Sequence, residues 1–153
     1  MEYQIKLTDK FFKKNELFFF EVVKNGESLK YGDYVSNILS YPTLISLPEY
    51  LKNFINELDY DISEYSSIMF GEDRNDEGEI VIPKNMVGFS IFEDRTLISK
   101  SEFYNLCLQM ANIALEAAEM FNLKNRNIVD DNWIGSIKDL VPKIEEKIKN
   151  YEI

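Results

Sequence analysis

Apolar residues change their spacing partway along this chain, and the change predicts strands first and helices later. Over residues 2–8 polar and apolar positions alternate, with Tyr3, Ile5 and Leu7 on one side, which is the period of a half-buried strand. Residues 16–23 are dominated by Phe18, Phe19, Phe20, Val22 and Val23, favouring a strand buried on both faces. Asn25-Gly26 then supplies residues tolerant of positive φ for a tight hairpin turn. A return strand is expected over residues 28–35. The first helical spacing comes at Leu47, Leu51, Phe54, Ile55 and Leu58. Ser46-Leu47-Pro48-Glu49 adds a capping serine, a first-turn proline and the glutamate of a capping box, so a helix is expected over 48–59.

The middle of the chain reads as a meander. Residues 65–70 and 79–82 are strand-like on either side of the loop 71–78. Residues 86–93 form a further strand, which Asp94-Arg95 turns into 96–99. After that the period becomes helical. Ser99-Lys100-Ser101-Glu102 offers a capped start, and Phe103, Leu106, Cys107, Met110, Ile113, Ala114, Ala117, Met120 and Phe121 follow at steps of three and four. Asp130 or Asp131 can cap a last helical region carrying Ile134, Ile137, Leu140, Val141, Ile144 and Ile148, which Pro142 is expected to divide in two. The expected fold class is α+β: an antiparallel sheet of hairpins and meander, packed against a long amphipathic helix and further C-terminal helices. With no repeat and no linker-like stretch, residues 1–153 read as one domain.

Composition narrows the function classes. The chain has 153 residues, 45% hydrophobic and 14% aromatic, which is incompatible with global disorder. It has no run of about 18 apolar residues for a membrane span, and its N-terminus lacks the apolar core of a signal peptide. One cysteine makes no intrachain disulfide, so a reducing, cytoplasmic location is expected. The net charge is −10, and most of it lies between Glu57 and Glu79, where nine acidic residues face only Arg74. A field of that sign repels phosphates and attracts cations, so a basic protein partner is expected and nucleic acid is not.

Catalytic chemistry has little to work with. Histidine is absent, removing Ser-His and Cys-His nucleophiles and the commonest zinc ligand. Cys107 lies on the apolar stripe of the long helix and reads as a core residue. No glycine-rich phosphate loop is present. Asp73, Asn75, Glu77, Gly78 and Ile80 match the opening positions of an EF-hand loop, but Lys84 stands where a bidentate glutamate is required, so no calcium, other metal or cofactor is expected. Tyr31, Tyr34, Tyr41, Tyr50, Tyr60 and Tyr65 flank the acidic segment or lie in irregular stretches, where tyrosine often serves interfaces. Trp133 reads as an anchor between helices.

Val87-Gly88-Phe89-Ser90-Ile91-Phe92-Glu93-Asp94, followed by Leu97-Ile98-Ser99 and Glu102-Phe103-Tyr104, forms a strand, acidic turn, strand and capped helix start. This layout resembles bacterial toxin-immunity proteins, including those of contact-dependent growth inhibition. The resemblance implies a small cytoplasmic protein that binds one cognate toxin, often a cationic nuclease, and blocks its active site. The expected function is therefore non-enzymatic inhibition of a basic toxin, with an acidic interface of Asp59, Asp61, Glu64, Glu72, Asp73, Asp76, Glu77 and Glu79. The alternatives are a self-associating scaffold whose acids serve solubility, a mimic of nucleic acid, and a carboxylate-dependent enzyme.

Overall fold

The computed structural model of the chain describes residues 3–7, 20–25, 27–28, 34–39, 42–71 and 82–152. Strands β1 (Tyr3–Leu7), β2 (Phe20–Lys24) and β3 (Glu27–Ser28) form an antiparallel sheet in that order. Asn25, at φ 52°, takes the left-handed conformation that the β2–β3 turn demands. Strands β4 (Tyr60–Asp61), β5 (Ser66–Phe70), β6 (Met86–Ile91) and β7 (Asp94–Ser99) form a second antiparallel sheet, also in sequence order; β5, β6 and β7 belong to the expected meander, and β4 was not expected. Helices α1 (Tyr34–Leu39), α2 (Leu47–Ile55), α3 (Lys100–Met120) and α4 (Asp131–Tyr151) complete the described residues. The fold class is α+β.

One apolar cluster joins both sheets to the helices. Val22 and Phe20 from the first sheet, Ile68, Phe70, Val87 and Phe89 from the second, and Phe103, Met110 and Ile144 from α3 and α4 all belong to it. Phe103 is its hub, with edge-on rings of Phe54, Phe70 and Phe89 at 5.2, 5.5 and 5.9 Å. Burying one such ring contributes about 2 kcal/mol. Helix α3 also covers the edge of the first sheet, because the Ile5 amide of β1 donates to Gln109 Oε1 at 2.8 Å.

Helix starts follow their local chemistry where a side chain is free to cap. The Ser99 hydroxyl accepts from the Glu102 amide at 3.1 Å, and Asp130 accepts from the Trp133 amide at 2.8 Å. At α2 the expected capping box does not form. Ser46 is itself helical in backbone (φ −84°, ψ −10°), and its hydroxyl instead accepts from the Thr43 amide at 2.9 Å. Trp133 is the expected anchor, donating from Nε1 to the Leu44 carbonyl at 2.7 Å and so tying α4 to the turn before α2.

Several expectations are corrected. Tyr34 and Val35 belong to α1 rather than to a return strand, because Val35, Ile38 and Leu39 bury together at helical spacing. Helix α2 ends at Ile55, short of Asp59. Ile82 lies outside any strand, and residues 79–81 lie outside the described residues. Helix α4 runs unbroken through Pro142. The proline sits on the exposed face, so the Lys138 carbonyl that loses its donor is open to water, while Ile137, Leu140 and Ile144 hold both halves in the core. Finally, the β6–β7 turn falls at Phe92-Glu93, two residues before the expected Asp94-Arg95. In this register Met86 pairs with Ser99, which frees Ser99 to cap α3.

Candidate functional site

Among the described residues, the acids of the segment stand at both ends of the four-stranded sheet. The β4–β5 and β6–β7 turns share one end of the four-stranded sheet, while Gly71, Pro83 and Lys100 occupy the other. Of the expected interface residues, Asp61 and Glu64 run toward the first end and are exposed. Asp59 stays at the second end, where its carboxylate accepts from the Phe70 amide at 2.8 Å and closes the top of β5. Glu72, Asp73, Asp76, Glu77 and Glu79 lie outside the described residues, as do the other calcium-loop positions except Lys84. Among the described residues no three potential ligands are grouped to hold a metal ion.

Sequence reasoning did not foresee the buried cluster at the second end. Helix α2 closes in a Schellman turn: the Glu57 amide donates to Phe54 O at 3.0 Å and the Leu58 amide to Asn53 O at 3.2 Å. This puts Glu57 at φ 52°, a position that glycine usually fills. The same turn ends α3, and there Asn122, which tolerates the conformation, stands at φ 53°. Glutamate at position 57 is explained by its carboxylate. Oε1 accepts from Lys100 Nζ at 2.6 Å, and Oε2 accepts from Lys147 Nζ at 2.9 Å and from the Tyr151 hydroxyl at 2.8 Å. The Tyr104 hydroxyl stands 2.9 Å from Phe54 O and 3.0 Å from Glu57 Oε2 and can donate to either.

Lys100 is only 3% exposed and donates a second hydrogen bond to the Gly71 carbonyl at 2.9 Å. Its ammonium also lies 5.1 Å from the Tyr151 ring centre, and Tyr151 stacks on Tyr104 at 5.9 Å. The cluster therefore joins α2, β5, α3 and α4 through five side chains. Burial disfavours the Glu57 carboxylate, but its lysine and tyrosine donors outweigh that and hold it at about 2. Burial and the adjacent carboxylate push Tyr151 up to about 12 and Tyr104 higher still. Groups so far from neutrality are poor proton shuttles, so the arrangement suits a structural lock better than acid–base catalysis. The sequence did carry a signal for it: Lys100 precedes Phe103, Tyr104 and Cys107, and Lys147 follows Leu140 and Ile144, on apolar stripes where a cation needs a buried partner.

Cys107 is buried as expected, and burial pushes its thiol up, away from the reactive thiolate. An open groove of about 640 Å³ lies between α3 and the start of α4, and its lining includes Leu115, Glu116, Glu119, Lys124, Ile134 and Lys138. Its walls carry both signs of charge and hold no thiol or hydroxyl group.

The first end of the sheet is different in character. The Phe92 amide donates to Tyr65 O at 2.7 Å, which places the two rings side by side with centres 4.8 Å apart. Glu64 and Glu93 adjoin them in sequence, and Asp61 and Asp94 stand at the same end of the sheet, where Arg95 is the neighbouring cation. Asp94 accepts from the Tyr34 hydroxyl at 3.0 Å, whereas Asp61, Glu64 and Glu93 have no ion-pair partner among the described residues. Of the tyrosines singled out from the sequence, Tyr50 and Tyr60 pack edge to face at 5.5 Å, and Tyr31 and Tyr41 lie outside the described residues. Compared with known proteins, the chain matches no family model, no curated protein and no solved structure.

Proposed function

We propose that the protein acts by binding rather than catalysis, as an immunity-type inhibitor that recognises a cationic, nuclease-like bacterial toxin in the cytoplasm. The observation that carries this reading is the meeting of Asp61, Glu64 and Glu93, from two turns distant in sequence, on one exposed end of the sheet without internal counter-ions among the described residues. Carboxylates so placed raise the local concentration of a basic partner and speed its association. A nuclease presents lysine and arginine where it holds phosphates, so an acidic binder competes for that same surface. Three observations favour binding over catalysis: the sequence has no histidine, the one thiol is buried, and the partly buried Glu57 carboxylate is neutralised by lysines. Among the described residues no helix is long and apolar enough to cross a membrane.

Changing Asp61, Glu64 and Glu93 together to lysine is expected to slow association with the basic partner by roughly tenfold or more at low salt, with the difference shrinking as salt screens the field. The partner would first be captured at low and high salt and then tested for toxicity with and without this protein. Association kinetics unchanged by the triple reversal would refute the acidic-interface reading. Co-expression that fails to protect cells from the captured partner would refute the inhibitor reading.

A further inference from the structure

Position 92 combines two features that folding alone disfavours. The two-residue β6–β7 turn places Phe92 at φ 54°, where glycine, asparagine or aspartate is the usual occupant and an L-residue with a bulky side chain costs about 1 kcal/mol. Phe92 is also 72% exposed, beside a Tyr65 that is 57% exposed. A core aromatic would remove this area from water, and a glycine would relieve the turn. The pair instead presents a tilted platform (interplanar angle 33°) flanked by carboxylates, with Glu64 preceding one ring and Glu93 following the other.

We infer that the Tyr65–Phe92 platform receives an arginine side chain of a basic protein partner. The inference rests on the acidic-binding reading above and specifies the contact at its centre. An aromatic face attracts a cation through its quadrupole, and a guanidinium is favoured because it is planar and weakly hydrated. It can lie flat on a ring while its edge N–H groups reach a neighbouring carboxylate as paired hydrogen bonds. Lysine is a compact point charge that satisfies the carboxylates but stacks poorly. The acids therefore set the sign of the partner, and the rings set the preference of arginine over lysine.

The chain protein is titrated with hexa-arginine and hexa-lysine peptides at moderate salt, following affinity and the ring resonances of Tyr65 and Phe92. Hexa-arginine should bind about fivefold more tightly than hexa-lysine and shift both ring signals, a factor matching a single exposed cation–π contact. Phe92→Gly, whose turn geometry suits glycine, should bring the two peptides to similar affinity while leaving the thermal midpoint unchanged or raised. Tyr65→Ser is the second probe of the same platform. Equal affinities in the wild type, or an arginine preference that survives both substitutions, overturns the platform. If the Asp61, Glu64 and Glu93 reversal still weakens both peptides, the acidic-binding reading stands without it. If that reversal changes nothing, or the wild type binds neither peptide, both readings fall.

Discussion

Glu57→Gln is expected to lower the unfolding free energy by about 3 kcal/mol, because it leaves Lys100 charged, nearly inaccessible and without its counter-ion. The amide keeps the shape of the side chain, so the loss isolates charge from packing. Glu57→Gly removes the same charge but relieves the left-handed backbone at position 57, so it should be less damaging by about 1 kcal/mol. Urea unfolding of the two variants measures both quantities. A glutamine variant as stable as the wild type would show that the cluster contributes nothing net.

The same carboxylate predicts the response to acid. Glu57 ionises at about 2 in the folded chain and near 4.5 when unfolded. A depressed carboxylate contributes stability above its unfolded value and loses it as pH falls toward its folded one. The loss therefore falls between roughly pH 5 and pH 2, and amounts to about 2 kcal/mol after allowing for solvent screening of the partly exposed group. Tyr151 acts at the other extreme. Its raised value, about 12 against 10.0, contributes stability that is present below pH 10 and is lost as pH rises toward 12. In Glu57→Gln the acid-side loss should be reduced, leaving only what other carboxylates contribute.

Gly71→Ala is expected to destabilise the protein by about 3 kcal/mol or more, through backbone collision rather than torsional preference. A β-carbon at position 71 would lie 1.7 Å from the Pro83 carbonyl oxygen, and that oxygen is held by the Met86 amide at 2.9 Å. Relief requires the chain to shift on one side of the sheet. Gly71 also donates to Met86 O and accepts from Lys100 Nζ, so the shift reaches the Glu57 cluster. The losses in Gly71→Ala and Glu57→Gln should accordingly be non-additive. Gly135→Ala is the matching control. Nothing lies within 4 Å of a β-carbon at this half-buried position, and in the first turns of α4 alanine should stabilise by about 0.5–1 kcal/mol. Thermal melts of the two alanine variants should move in opposite directions.

Positions 57 and 92 share a lesson. Both carry bulky residues at left-handed backbone where glycine or asparagine fits better, and in both the side chain does something the turn does not require. At 57 that is the neutralisation of a buried lysine. At 92 it is an exposed aromatic surface, which is why stability and partner binding are expected to respond in opposite senses to Phe92→Gly.

Local chemistry by itself determined much of this architecture. Periods of two and 3.6 residues are properties of a single segment, so β1, β5, β6, β7, α3 and the helical character of 131–151 were legible from their apolar spacing. Two of the three expected caps were legible for the same reason: Ser99 and Asp130 need only reach amides three residues ahead, whereas Ser46 is turned back to Thr43. What required the tertiary structure was anything set by partners far along the chain. The β6–β7 turn follows from pairing Val87 with Ile98 and from freeing Ser99 to cap α3, not from the turn preference of Asp94. Pro142 is tolerated because its neighbours are anchored in a core that the segment does not contain. Asp59 and Asp61 were set toward opposite ends because β4 runs between them, while Glu57 was withdrawn by lysines 43 and 90 residues away. Charge is additive along a sequence, but the surface that displays it is decided by strand register and by which ions the core neutralises.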